Sequence, residues 1–276
     1  MPIKLTATRV LFMILVMTAG FSSAGEIAAS GKKHSEGQLA LSQEQLRAIG
    51  QKIYINETGG KLENLIAWNN GENFASLGIG HFIWFPENST SPFTETFPAL
   101  IDYFKAQNLA MPSWLQYTHD LPWSSKSAFM AASNSVKMSD LKDLLSNTMD
   151  YQVAFIHKRM QQALPLMLSH IESAAQQKLV STNFHTLSYS ELGLYALIDY
   201  VNFKGEGVSS TETYQGKGWG LLQVLQNMDP ANNNPHKAFH YACDEVLTRR
   251  VKLSSQQEVE QRWLAGWRKR CATYSS

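Results

Sequence analysis

The chain has 276 residues, 44% of them hydrophobic, and a formal net charge of +1 from 24 basic and 23 acidic side chains. This composition supports a packed core rather than disorder, and the charge balance lacks the basic excess of a nucleic-acid binder. Two cysteines, Cys243 and Cys271, allow one disulfide or two buried thiols, and their spacing decides neither.

In chain order, Lys4 and Arg9 precede the apolar run Val10–Ala19, and small residues follow at Ser22-Ser23-Ala24. The run is shorter than the roughly 20 residues that cross a bilayer. It reads as a secretory signal over 1–24, cleaved after Ala24, with an uncleaved N-terminal anchor as the alternative. Residues 25–40 read as a flexible lead-in and 41–276 as one domain with a small lobe. Ser42-Gln43-Glu44-Gln45 is a capping-box signature that opens a helix, along which Leu46, Ile49 and Ile53 form an apolar face. Residues 72–85 read as strand and turn and 86–98 as loop. The pattern then predicts helices over 97–108, 126–132, 139–173 (broken at Pro165), 190–203, 216–228, 235–252 and 255–270. It assigns no element to 174–188. The expected architecture is mainly α, an α+β fold with a small β-hairpin lobe.

Glu57 falls one further step of four along the stripe Leu46, Ile49, Ile53, so it lies at the rim of the core. Thr58-Gly59-Gly60 then ends the helix. A half-buried carboxylate there is expected to resist ionisation, which suits a proton donor. Asn69-Asn70-Gly71-Glu72-Asn73 has turn chemistry. A following strand would alternate Phe74, Ser76, Gly78 and Gly80 on one bare face, with Ser76 offering a hydroxyl and the glycines letting a ligand come close. His81 falls on the other face with Leu77 and Ile79 and reads as structural, hydrogen-bonded beneath the strand.

Glu57, the polar hairpin and Ser76-Leu77-Gly78-Ile79-Gly80-His81 together resemble the phage-type lysozymes of the lysozyme-like superfamily. That family's pattern is a catalytic Glu, an acidic hairpin residue and Thr-Ile-Gly-Tyr/Ile-Gly-His. Residues 196–213, "ALIDYVNFKGEGVSSTET", are similar to its downstream Ala-Leu-x-Ser-Phe-x-Phe-Asn-x-Gly-x-Gly and Ser-Ser-Thr. The resemblance implies a lysozyme-like helical domain that cuts the β-1,4 glycan of bacterial peptidoglycan. Glu57 would be the acid, and Ser76 would take the place of a water-holding Thr. It also implies a periplasmic or secreted enzyme. The chain departs from the pattern at Asn70, where the family keeps an Asp, and the nearest carboxylate is Glu72. Asn202 stands one residue early. Glu72 as base would give inverting hydrolysis; Glu57 alone would give lytic transglycosylation. A cleft that only binds the wall is the other reading, and a chitosanase-like enzyme a further one.

On their own terms, residues 194–201 read as a helix buried nearly all round, which releases Asn202 and Glu206 at its end. Tyr200, Asn202 and Glu206 are candidates for the cleft floor, and Glu206 and Glu212 read equally as solvated loop acids. Trp219 is either core or a sugar platform, with Gln223 one turn beyond it. No spacing for zinc, no phosphate-binding loop and no Gly-x-Ser-x-Gly is present, so neither metal nor cofactor is expected. The basic run Trp267-Arg268-Lys269-Arg270 reads as a helix end that complements the dipole. The partners expected are peptidoglycan glycan strands, with no nucleic acid, no membrane insertion after cleavage, and a monomeric state.

Overall fold

A computed structural model describes residues 41–89, 91 and 93–276, which lie within one compact unit, Gly37–Ser276. The expected signal and lead-in fall outside the described residues. The fold is mainly α with a small antiparallel sheet.

The first helix, α1 (Gln43–Thr58), has the expected capping box: Ser42 Oγ accepts from the Gln45 amide, and the Gln45 side chain accepts from the Ser42 amide. It ends at Gly59, whose φ of 65° lets its amide donate to the Ile55 carbonyl. A 3₁₀ turn, Leu62–Leu65, leads into β1 (Ile66–Ala67), β2 (Ala75–Leu77) and β3 (Phe82–Trp84), ordered β1-β2-β3. Ser76 pairs with Ala67 on one side and Ile83 on the other. Directly paired residues share a face, so Leu77, Phe82 and Trp84 form the opposite face, which is core.

The strand is shorter than its alternation suggests. Gly78, at φ 72°, already belongs to a turn that closes from the His81 amide to the Gly78 carbonyl. Every residue from Phe74 to Gly80 is buried. A Cβ on Gly78 would overlap Gln152, and one on Gly80 would overlap Asn202 and Phe82. The glycines therefore serve the close approach of helices, not of a ligand, and the expected bare face is absent.

Next come α2 (Phe97–Ala106), the short α3 (Ser113–Gln116), α4 (Lys126–Ala131), α5 (Val136–Asn147) and α6 (Met149–Ser169). The break expected at Pro165 lies instead at Thr148, while Pro165 is carried inside α6. At the break, Thr148 Oγ1 donates to the Leu144 carbonyl and Gln152 Nε2 donates to the Leu145 carbonyl and to Thr148 Oγ1. Gln152 Oε1 in turn accepts from the Ile79 amide at 2.8 Å. This fully buried amide fastens the β lobe to the helical body, and it satisfies groups that would otherwise be orphaned.

Residues 174–188, given no element from the sequence, form α7 (Ala174–Ser188), capped by Ser173 and buried along Val180, Phe184 and Leu187. Helix α8 (Glu191–Lys204) is buried from Gly193 to Val201, as its composition predicts. Residues 216–228 are not one helix: β4 (Thr213–Tyr214) and β5 (Lys217–Gly218) pair as a hairpin, and α9 (Leu221–Asn227) follows. The chain closes with α10 (Pro235–Leu253), α11 (Gln257–Ala272) and a 3₁₀ turn. Cys243 and Cys271 form a disulfide that joins α10 to α11. Among the described residues no helix is long and apolar enough to cross a membrane.

Candidate active site

The C-terminus of α1 delivers Glu57 to a meeting point of three other elements. From α8, Asn202 Nδ2 donates to Glu57 Oε1 at 3.1 Å. From α11, the Arg270 guanidinium approaches the same oxygen to 2.7 Å. From the turn between β2 and β3, His81 Nδ1 stands 3.6 Å from Oε2, an ion-pair distance rather than a hydrogen bond. The Glu57 side chain keeps 12% of its surface exposed, so it lies at the rim of the core as its helical register predicts. Around it stand a hydrogen-bond donor, a guanidinium and an imidazole.

Behind Glu57 is a buried charge network. Asp199, fully buried on α8, accepts from Arg270 Nε at 2.8 Å and Nη2 at 2.7 Å, and from the Tyr274 hydroxyl at 2.6 Å. Asn56 reaches the same carboxylate at 3.4 Å and the Tyr195 hydroxyl at 2.9 Å. Burial works against the charge on Arg270, but Asp199 and Glu57 more than offset it and hold the guanidinium well above its ordinary range. Burial, reinforced by Asp199, pushes Tyr274 well up, so it stays a donor. The guanidinium also lies 4.1 Å from the Phe203 ring.

Opposite this network is the hairpin of the β lobe. Burial raises the Glu72 carboxyl above the ordinary glutamate range, against the pull of its hydrogen bond from Asn69 (3.0 Å) and the charges of His81 and Lys126. His81 is within ion-pair distance of Glu57, and its charge is also felt at Glu72. It does not sit beneath a strand. Its φ of 46° places it at the turn corner, with Nε2 3.3 Å from the Asn64 carbonyl. Asn70 is exposed and its Oδ1 accepts from Lys126 Nζ at 2.7 Å, so it is turned toward α4.

Of the residues singled out from the sequence, Glu57 and Asn202 meet directly, and Glu72 is related to them only by the electrostatic influence of His81. Ser76 is buried on the sheet face away from the core, beside partly exposed Ala67 and Ile83. Four others are engaged within the fold. Tyr200 is fully buried and its hydroxyl donates to the Trp219 carbonyl, and burial raises its pKa far above the usual tyrosine range. Trp219 is core, packed on Tyr214 and beneath the Arg250 guanidinium. Gln223 lies on α9, which starts after Trp219. Both ends of its amide are used, Oε1 by the Gly220 amide and Nε2 by the Gly207 carbonyl. Glu206 pairs with Arg159 of α6 at 2.9 Å. Glu212, read as a solvated acid, accepts from the Thr94 amide at 2.9 Å.

Arg270 and Asp199 escaped the sequence reading. The signal for Asp199 was present, since an acid within Leu194–Val201, a helix segment buried on all sides, requires a cation partner. Nothing separates Arg270 from Arg268 and Lys269 in the sequence, but Arg270 alone of the three is buried. Among the described residues no group of three or more His, Cys, Asp or Glu is placed to hold a metal ion. A surface pocket of about 590 Å³ lined by Glu87, Tyr117, His119 and Asp120 shares none of the Glu57 group.

No known family model matches the chain, and no curated protein or solved structure matches it either.

Proposed function

We propose that the chain cleaves the β-1,4 glycan strand of bacterial peptidoglycan, with Glu57 as proton donor and Glu72 as base. The reading rests on the resemblance to phage-type lysozymes over residues 42–85 and 190–213. One observation carries it beyond that: Glu57 ends α1 with Oε1 fixed by Arg270 and Asn202, while Oε2 faces His81 and the lobe that bears Glu72. The Arg270 ion pair and the Asn202 hydrogen bond both fall on Oε1, so a proton on this carboxyl resides on Oε2. From there it passes to the glycosidic oxygen as the C1–O bond breaks. Glu72, a stronger base than a surface glutamate because burial raises it, accepts a proton from the water that attacks C1. Such an inverting pair works with carboxyl groups about 6.5–9.5 Å apart. Asn202 then acts by positioning Glu57 rather than by binding sugar. Export to the periplasm or beyond belongs to the same proposal.

The experiment is digestion of purified peptidoglycan followed by mass spectrometry of the fragments, with Glu57→Gln and Glu72→Gln in parallel. New reducing ends that both substitutions abolish support hydrolysis by the pair. Anhydro-sugar ends that survive Glu72→Gln assign lytic transglycosylation by Glu57 alone. A second reading, a protein that binds wall glycan without cutting it, is favoured by the engagement of Glu57 Oε1 in an ion pair. Binding with no fragments from any form assigns that.

A further inference from the structure

One face of α11 carries Val259, Trp263, Trp267 and Arg270, steps of four, four and three that align on a helix, with Gly266 among them. It runs from open surface to the candidate site. Val259 is 40% and Trp263 48% exposed, Trp267 is partly buried, and Arg270 touches Glu57. The two indole rings lie 6.0 Å apart. The Lys204 ammonium lies 4.1 Å from the centre of the Trp267 ring and 4.0 Å from that of Phe203, whose ring also carries Arg270. Aromatic and cationic groups thus follow one another without a gap from Trp263 to Glu57.

Two features call for a partner, one on this face of α11 and one at the end of α8 beside it. Gly266 stands mid-helix, where glycine costs about 1 kcal/mol relative to alanine, yet a Cβ there would meet no atom within 4 Å. No packing among the described residues requires the glycine. The space it leaves lies beside an exposed tryptophan. Lys204 is the second. Arg250 pairs with Glu260, and Arg270 pairs with Asp199 and Glu57, but no carboxylate lies within ion-pair distance of Lys204 among the described residues. Burial and the two neighbouring guanidiniums push its pKa well down, more than Glu57 and Glu260 restore. An incoming carboxylate would fill that gap in charge.

We propose that this face of α11 is a binding platform for the glycan strand beyond the point of cleavage, with a sugar ring stacked on Trp263 and a sugar-borne carboxylate at Lys204. The inference rests on the glycan-cleaving reading. It names the surface on which the strand is gripped. The platform extends about 10 Å from Arg270 to Trp263, seven residues of helix at 1.5 Å each. A muramyl sugar carries its lactyl carboxylate, and an amino sugar presents the apolar ring face that an indole stacks on.

The test uses the full chain with Glu57→Gln, so that bound strands are not cut. Peptide-free glycan strands from purified peptidoglycan are titrated against it, and indole fluorescence and co-sedimentation are read. The platform predicts that Trp263→Ala weakens binding about tenfold and that Trp263→Phe restores most of it. It also predicts that an uncharged N-acetylglucosamine tetramer binds more weakly than the strands, a difference that Lys204→Gln removes. Glycan binding that Trp263→Ala leaves unchanged overturns the platform and leaves the cleavage proposal standing. No binding of strands by the Glu57→Gln chain, and no cleavage by the parent, overturns both. Binding to anionic lipid vesicles instead of glycan, lost in Trp263→Ala, also overturns the platform and assigns the face to a membrane surface.

Discussion

The two sides of the candidate site are built differently. On the helical side, Glu57 rests on Arg270, Arg270 on Asp199, and Asp199 on Tyr274 and Asn56, every partner on α1, α8 or the C-terminal elements. On the hairpin side, Glu72 has one side-chain hydrogen bond from Asn69, three residues away, and the exposed Asn70 is tied to Lys126. The first is a buried network, where removing a charged partner leaves another buried charge short of compensation. The second is a set of nearly independent local contacts around a partly buried carboxylate. One carboxylate is therefore fixed in place by the fold, and the other is held by its own hairpin.

The contrast predicts unequal responses to substitution. The largest effect falls on the network. Asp199→Ala leaves Arg270 buried with Glu57 as its remaining carboxylate and should cost about 3–5 kcal/mol in urea unfolding. A cost below 1 kcal/mol would show the network to be slack. Opening the disulfide with the double change of Cys243 and Cys271 to Ser removes a 28-residue loop constraint. The same unfolding assay should then show a loss of about 3–4 kcal/mol. Gln152→Leu leaves the Ile79 amide and Leu145 carbonyl without partners and should cost about 2–3 kcal/mol, with cleavage falling as the lobe loosens. On the hairpin, Asn70→Ala should change stability by less than about 0.5 kcal/mol. A large loss there would erase the distinction between the two sides.

The pH dependence sharpens the same comparison. The Glu72 carboxyl is raised, so on acidification it takes up its proton above the ordinary glutamate range and ceases to act as a base. Activity should fall on the acid side within that window, and Lys126→Ala, which removes a cation that lowers Glu72, should shift the fall to higher pH. A profile that does not move would exclude Glu72. The sign is opposite at His157, where burial lowers the pKa below its ordinary 6.5. The unfolded chain then binds the proton more readily, so stability is full above about pH 6.5 and declines as pH falls below it. His157→Gln should reduce that decline in unfolding midpoints measured from pH 7 to 5.

Local rules made much of the frame legible in the sequence. The α1 cap, its glycine stop and the register of Glu57 follow from spacing alone. So does the burial of α8. The hidden parts depend on long-range pairing. Strand alternation from Phe74 to Gly80 implied an open face because nothing local records that Gln152 and Asn202 would press on Gly78 and Gly80. His81 departs from its expected side for a local reason, since the chain turns at Gly78 and strand alternation does not reach residue 81. Pro165 looked like a break, but the interruption came at Thr148, where a threonine and a glutamine side chain bond the main chain. Trp219, Tyr200 and Gln223 looked available because they stand beside glycines and polar turn residues. In the fold those turns pack inward, and the tryptophan left on the surface is Trp263.

The measurement that bears most directly on the central claim is the rate at which purified peptidoglycan is cut by the parent chain and by Glu57→Gln, with matched urea midpoints establishing that both are folded. A fall of at least about a hundredfold at equal stability is predicted. Equal rates for the two proteins, or no cleavage by a folded parent, would contradict it.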